Sequence, residues 1–329
     1  MEVFTNEDNN VTKFIHTDTS ETTIKTVMSC VNYEDNTNIK MRYENRNKYS
    51  VFVSPTVGCF MKCSFCYLTI KNCKYKILSQ NDILNNLKEA VIYEINKKPE
   101  LKSKYIKLCW MGMGEVINDS YMMKEITTDF LDWVFENKYA IGLDGVDLST
   151  VLPNIRDEWI SPFKEMNNTL SKYEKNPNNK MVVNSSGKTS LGIQYTNRSM
   201  FRLFYSLHST IQETRDKIIP NAMNIESAIE KLKIYSGEFN DNNLIIHHMF
   251  FDSINDSEEE VNNLISLLSG TGIELRILRM NYCDNSPYQE SKKFEDIITK
   301  LNNSLNYLKV QISAGDEIKA ACGQFIVKQ

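Results

Sequence analysis

The stretch VGCFMKCSFCYL, residues 57–68, brings Cys59, Cys63 and Cys66 together in a C-x3-C-x2-C spacing. Three thiols this close suit a soft metal or a metal–sulfur cluster. Zinc is one reading, but structural zinc sites take four ligands, usually as two paired knuckles. The chain has no second C-x2-C and no H-x3-H. His247 and His248 are adjacent, so on a strand they face opposite ways and make a poor chelate. A trio of inert, buried cysteines is the other alternative. Iron–sulfur clusters normally take four thiolates. Three leave one iron open to an outside ligand, which makes room for a substrate or cofactor, and the spacing favours this reading.

Composition sets the bounds around that centre. The N-terminus, MEVFTNEDNN, is polar and acidic and does not read as a signal peptide. No apolar run reaches the ~20 residues of a membrane helix. The expectation is a cytoplasmic protein with no membrane span. Its eight cysteines are then buried, metal-bound or catalytic instead of paired in disulfides. A net charge of -4 excludes a global basic field for nucleic acid. One local run, Lys71, Lys74, Lys76, Lys97, Lys98, Lys102, Lys104 and Lys107, reads as a solvated face.

The elements that must position the thiols alternate. Residues 48–55, 105–111, 145–150, 202–208, 243–251, 273–280 and 307–313 read as strands, rich in β-branched and aromatic residues. Residues 81–95 (capped by Asn81), 119–137, two stretches around 212–235, 257–270 and 290–306 read as helices. Ser257 and Glu260 give a capping-box signature, and Gly270 a stop. Such alternation implies a parallel sheet with helical crossovers, either a barrel or a doubly wound sheet. Residues 154 to about 200 are Asn-, Ser- and Lys-rich and read as a surface insertion. The division expected is a β extension over 1–47, an α/β body over 48–313 and a C-terminal segment over 314–329.

Parallel α/β folds carry their chemistry at the carboxyl ends of the strands. The cysteine triplet follows the first strand. MGMGE, with Gly112, Gly114 and Glu115, follows the second. Ser149 ends the third, Ser206 and His208 end the fourth, and Asn281 follows the sixth. Polar groups at successive strand ends converge on one mouth.

C-x3-C-x2-C with Phe65 before its last cysteine resembles the radical S-adenosylmethionine superfamily. VGCFMKCSFC, MGMGE, LSTVLP, YSLHSTIQETRDKIIP, FFDSINDS, NYCDNSPY and GDEIKAACGQ resemble, in order and character, the RlmN/Cfr methyltransferases within it. The resemblance spans roughly residues 48–325. It implies a partial (β/α)6 barrel with a short N-terminal β-hairpin extension and a C-terminal extension. It also implies a [4Fe-4S] cluster on Cys59, Cys63 and Cys66, with S-adenosylmethionine on the open iron. Phe65, Gly114 and Glu115 would sit at that cofactor, Glu115 and Gly114 holding its amino group. Ser149, Ser206, His208 and Asn281 would line its ribose and carboxylate. Cys322, in AACGQ, matches the cysteine that carries the methyl group to an adenosine of ribosomal or transfer RNA. The implied partners are S-adenosylmethionine, an electron donor such as flavodoxin or ferredoxin, and RNA, for a monomeric enzyme.

Three departures accompany the match. Phe52 stands where the family has the cysteine that resolves the enzyme–substrate crosslink. The family's upstream acidic residue has no clear counterpart, with Glu44 the nearest carboxylate. The N-terminal accessory domain is replaced by about fifty residues. Cys283, or else Cys30 in the N-terminal hairpin beside the strand of Phe52, is the expected substitute thiol, unless an external thiol serves. The substrate is then RNA or a smaller nucleoside, peptide or metabolite. A radical enzyme that abstracts hydrogen or rearranges without methylating, and a degenerate binding protein, are the alternatives.

Overall fold

The computed structural model describes residues 1–26, 29–31, 41–43, 47–155, 157–177, 180–183, 194–197, 200–239, 243–281, 284–320 and 324. The chain opens with β1 (Glu2–Thr5), β2 (Val11–Ile15) and β3 (Glu21–Lys25), then the short β4 (Ser29–Val31) and β5 (Met41–Tyr43). β6 (Lys48–Val53) is followed by β7 (Thr56–Val57), α1 (Tyr67–Ile70), β8 (Lys76–Ile77) and α2 (Gln80–Lys97). Next come β9 (Tyr105–Trp110), α3 (Ser120–Glu136), β10 (Gly142–Thr150), α4 (Ser161–Leu170), β11 (Lys180–Val183) and β12 (Gln194–Asn197). β13 (Phe201–Ser206), α5 (Gln212–Ile218), α6 (Ile225–Glu238), β14 (Leu244–His248), α7 (Glu258–Leu268), β15 (Glu274–Leu278), α8 (Phe294–Ser304) and β16 (Leu308–Ile312) complete it.

Twelve strands share one sheet, in the order β1-β2-β3-β6-β9-β10-β13-β14-β15-β16-β4-β5. The seven from β6 to β16 run parallel, as the strand–helix alternation requires. The N-terminal extension is larger than the expected hairpin. β1–β3 form a meander that joins β6 antiparallel. β4 and β5 form a hairpin that joins the opposite edge, antiparallel to β16. Cys30 therefore pairs with Gln311, while the partner of Phe52 is Thr23. The expected neighbourhood of Cys30 and Phe52 does not form.

Helical stripes cover the sheet. Ile83, Leu87, Ala90 and Val91 of α2 and Met123, Ile126, Phe130 and Val134 of α3 are buried at helical spacing. Ser79, not Asn81, caps α2. Its hydroxyl accepts from the Asp82 amide at 3.1 Å, and the Asp82 carboxylate accepts from the Ser79 amide at 3.3 Å. At α7 only half of the expected box forms. Ser257 accepts from the Glu260 amide at 3.2 Å, but the Glu260 carboxylate turns to the turn after β13 and accepts from the Thr210 amide at 2.7 Å.

The segment expected as a surface insertion contains a crossover helix. α4 buries Phe163, Met166 and Leu170, so the alternation does not break between β10 and β13. The basic run is also not one solvated face. Lys98 is buried against Glu94 at 3.3 Å, and Lys107 is buried and ion-paired with Asp147.

One face of the parallel strands carries charge in its lower rungs. Asp147 of β10 receives Arg202 of β13 at 2.5 Å and Lys107 of β9. Asp144 receives Lys48 of β6 at 2.5 Å and the Asn176 amide at 2.6 Å. By strand periodicity, Lys48, Lys107, Asp147 and Arg202 share a face with Phe52, Met111, Ser149 and Ser206. An ion-paired layer thus supports the strand ends where the polar groups gather.

Candidate active site

A cavity lies at the carboxyl ends of the parallel strands. Cys59, Cys63, Cys66, Phe65, Gly114, Glu115, Ser149, Ser206, His208 and Asn281 all line it. Of the residues expected to bind the cluster and cofactor or to carry the methyl group, Cys322 lies outside the described residues. Glu44 and Cys283 do too.

The cysteine loop is built by tight backbone geometry. Gly58 has φ +67°, and a Cβ there would lie 2.7 Å from the Lys74 carbonyl oxygen, so the chain before Cys59 tolerates little but glycine. The Cys66 amide donates to the Cys63 carbonyl at 3.0 Å. Ser64 anchors the loop to other elements. Its amide donates to the Ile218 carbonyl at 2.8 Å, and its hydroxyl meets the Tyr288 hydroxyl at 2.5 Å. Phe65 packs edge-on against His208, centroids 5.1 Å apart, and against Phe251.

Burial pushes the Cys59 thiol up to about 11 and the Cys63 thiol well above its ordinary value. A cation among them is what would favour the thiolates. Among the described residues no three His, Cys, Asp or Glu side chains close on a single ion. Tetrahedral zinc, with bonds of ~2.3 Å, brings thiolates within about 3.8 Å of one another. Three soft donors around one cavity fit an occupant of several metal and sulfur atoms.

MGMGE is held against the end of β6. The Met113 amide donates to the Ser54 hydroxyl at 3.0 Å, and that hydroxyl donates to the Glu21 carbonyl at 2.7 Å. A Cβ on Gly112 would lie 2.6 Å from the Val53 carbonyl oxygen, and Gly114 sits at φ +104°. Glu115 is buried and bridges two strand ends. Its Oε2 accepts from the Thr150 hydroxyl and the Val151 amide, both at 3.0 Å, and its Oε1 from the Ile117 amide at 3.2 Å. Burial outweighs these donors and pushes its carboxyl up to about 7.

Ser149 and Ser206 lie with their hydroxyls 3.5 Å apart. His208 adopts φ +54°, and its carbonyl accepts from the Asn255 amide group at 2.5 Å. The Met249 amide donates to His208 Nδ1 at 3.1 Å, so the neutral ring carries its proton on Nε2. Burial first, then His248 and Arg215, hold this imidazole well below its ordinary range. Arg215 ties the ends of β13 and β10 together, donating to the Ser206 carbonyl at 3.0 Å and the Val151 carbonyl at 2.8 Å. As its position implies, His247 faces the same cavity, while His248 packs on Phe250 and His208.

Sequence reasoning missed one wall. Glu21, Thr23 and Lys25 of β3 line the cavity beside Phe52. Glu21 is an upstream carboxylate that the structure brings to the site. It was hidden because the β4–β5 hairpin separates β3 from β6 in sequence, although the two strands pair. The available signal was ETTIK itself, whose two charged residues, Glu21 and Lys25, are four apart and so share one face of a strand. Burial, and then Glu21, raise the Cys73 thiol.

No family model matches the chain. It is 28% identical over 303 residues to a probable dual-specificity RNA methyltransferase RlmN of Dictyoglomus turgidum, covering 88% of this chain and 73% of that one. It is 26% identical over 287 residues to the dual-specificity RNA methyltransferase RlmN of Wolinella succinogenes, covering 84% and 66%. A radical SAM methyltransferase from Sphaerobacter thermophilus has the same fold, with TM-score 0.65 and 19% identity over 98% of this chain and 80% of that one. Along most of its length the chain is thus similar to RlmN-type RNA methyltransferases, and it shares its fold with a radical SAM methyltransferase.

Proposed function

We propose that the protein is a radical S-adenosylmethionine methyltransferase that passes a methyl-derived carbon through Cys322 to an electrophilic carbon. The substrate is an adenosine of RNA or a smaller molecule of like chemistry. One observation carries this reading. Every described residue of the expected site lines a single cavity. Ala320 and Gln324, on either side of residues 321–323, line it as well. The parallel sheet from β6 to β16 would be the partial (β/α)6 barrel, its six helical crossovers followed by one added strand.

Cys59, Cys63 and Cys66 would hold the cluster. When bound, a cluster with one open iron supplies the electron that cleaves S-adenosylmethionine to a 5′-deoxyadenosyl radical. Gly114 and Glu115 would hold the amino group of S-adenosylmethionine, the Glu115 carboxylate balancing its charge. Ser149, Ser206 and Asn281 would orient hydroxyls and the carboxylate, and His208 would offer Nε2–H as a donor. Among the described residues no helix is long and apolar enough to cross a membrane. A cytoplasmic monomer served by a flavodoxin- or ferredoxin-type donor completes the proposal.

The test is anaerobic turnover with reductant, S-adenosylmethionine and candidate RNA, followed by mass spectrometry of the nucleosides. Methyladenosine formed together with 5′-deoxyadenosine supports the reading. Loss of hydrogen or a rearranged product without a methyl group favours the non-methylating alternative.

Two predictions arise here. Glu115 must be ionised to balance an ammonium, and its carboxyl is pushed up to about 7. S-adenosylmethionine affinity should therefore rise as pH increases from 6 to 8, and Glu115→Gln should flatten that profile in a binding titration. The sign for stability is opposite. A raised carboxyl favours the protonated fold, so this contribution is fully present below the unfolded value and lost as pH rises through about 7. For RNA, the net charge of -4 and the burial of Lys98 and Lys107 predict weak, salt-sensitive binding to bulk ribosomal RNA. Tight retention in a filter-binding titration at moderate salt would contradict this.

A further inference from the structure

We infer that Lys13 and Lys25 of the N-terminal meander are positioning residues that hold the C-terminal segment against the cavity for methyl transfer through Cys322, an inference that rests on the methyltransferase reading. The register pairs Val11 with Lys25, Lys13 with Thr23 and Ile15 with Glu21. Period two then places Val11, Lys13, Ile15, Glu21, Thr23 and Lys25 on one face of the meander. The pairing of Thr23 with Phe52 continues that face onto β6. The opposite face carries Phe14 and Ile24 among threonines, with Phe14 packed edge-on against Tyr93 of α2 at 5.5 Å.

The C-terminal segment lies against the charged face. The Lys25 ammonium donates to the Ala314 carbonyl at 2.8 Å, and the Lys13 ammonium donates to the Lys319 carbonyl at 2.6 Å. Lys13 also pairs with the buried Glu21 carboxylate at 2.7 Å. Between the two carbonyls the chain turns through Gly315, φ +92°, where a Cβ would lie 2.9 Å from the Val11 side chain. On the other side the Lys319 ammonium reaches Asp284 at 3.1 Å. The segment's own order is one 3-10 turn, Asp316–Ile318.

Two charge-assisted hydrogen bonds, from donors 289 and 306 residues away, therefore tie this segment to the meander. Fixing it limits the directions from which a thiol just beyond Ala320 can approach a reacting methyl group, which is where orientation affects rate. The meander thus does for the carrier segment what no local helix or strand does. Glu21 links the same clamp to the cavity wall.

The test uses full-length, reconstituted protein with methyl-labelled S-adenosylmethionine and no substrate. Three quantities are read: the rate of label entering Cys322, the iron content with cofactor affinity, and hydrogen exchange of the 313–320 peptide. Lys25→Met should slow labelling about tenfold or more and speed exchange of that peptide by a similar factor, with iron and affinity unchanged. Lys25→Arg, which keeps a charged donor, should restore both. Lys13→Met should act in the same direction and serves as the second variant. Unchanged exchange in both Met variants overturns the clamp, as does labelling that falls only in step with iron. If wild-type protein never takes label, the methyltransferase reading fails and the exchange data alone decide the clamp.

Discussion

Replacing Cys59, Cys63 and Cys66 together by Ala should abolish iron–sulfur absorbance and the reductive cleavage of S-adenosylmethionine. The three thiols are the soft donors gathered at the cavity, and burial disfavours the ionised forms of Cys59 and Cys63 unless a cation compensates. The fold itself should survive. The loop is fastened by Ser64 to Ile218 and Tyr288 and by the Gly58 turn, and none of these contacts uses a sulfur. Circular dichroism and iron analysis on anaerobically reconstituted protein check both halves. Zinc without iron in wild-type protein would sink the cluster assignment.

The largest stability effect is expected beneath the site. Asp147 is buried between Lys107 and Arg202, with Arg202 Nε at 2.5 Å. Burial alone would raise its carboxyl, but the Arg202 and Lys107 cations outweigh burial and hold it below the ordinary range. Asp147→Asn keeps the shape and leaves two buried cations poorly matched, which should cost about 3–5 kcal/mol. Urea denaturation checks this, and a loss near zero would mean that Asp144 alone balances the layer. The pH dependence has a fixed sign. The folded carboxyl is depressed, so its contribution is present above the unfolded value near 3.9 and lost as pH falls through the folded one. Because this layer lies on the same sheet face as Ser149 and Ser206, partial loss should also loosen the strand ends.

Much of the site was legible because its parts are local in sequence. The cysteine spacing, MGMGE, SLH and Asn281 each sit directly after an apolar strand, so a parallel topology alone predicts their convergence. What stayed hidden depends on pairing between distant segments. β3 reads as polar because Glu21, Thr23 and Lys25 face a cavity and not an apolar core. Its place beside β6 follows from a pairing across an intervening hairpin that joins the far edge of the sheet. α4 was obscured because Phe163, Met166 and Leu170 are spaced among Asn, Lys and Glu, so composition outweighed periodicity. Glu260 looked like a helix cap, but the turn at Ser209 and Thr210 supplies stronger donors than its own helix end. Cys30 was misplaced for the same reason as β3, since a hairpin near Phe52 in sequence pairs with β16.

The central claim is that Cys322 carries the methyl group. Its most direct test is mass spectrometry of the tryptic peptide containing Cys322 after anaerobic reconstitution and incubation with S-adenosylmethionine. A mass increase of one methyl group on Cys322, absent in Cys322→Ala, is the result expected. Cluster-loaded protein that cleaves S-adenosylmethionine while Cys322 stays unmodified would contradict the claim and turn the assignment to a radical enzyme that does not methylate.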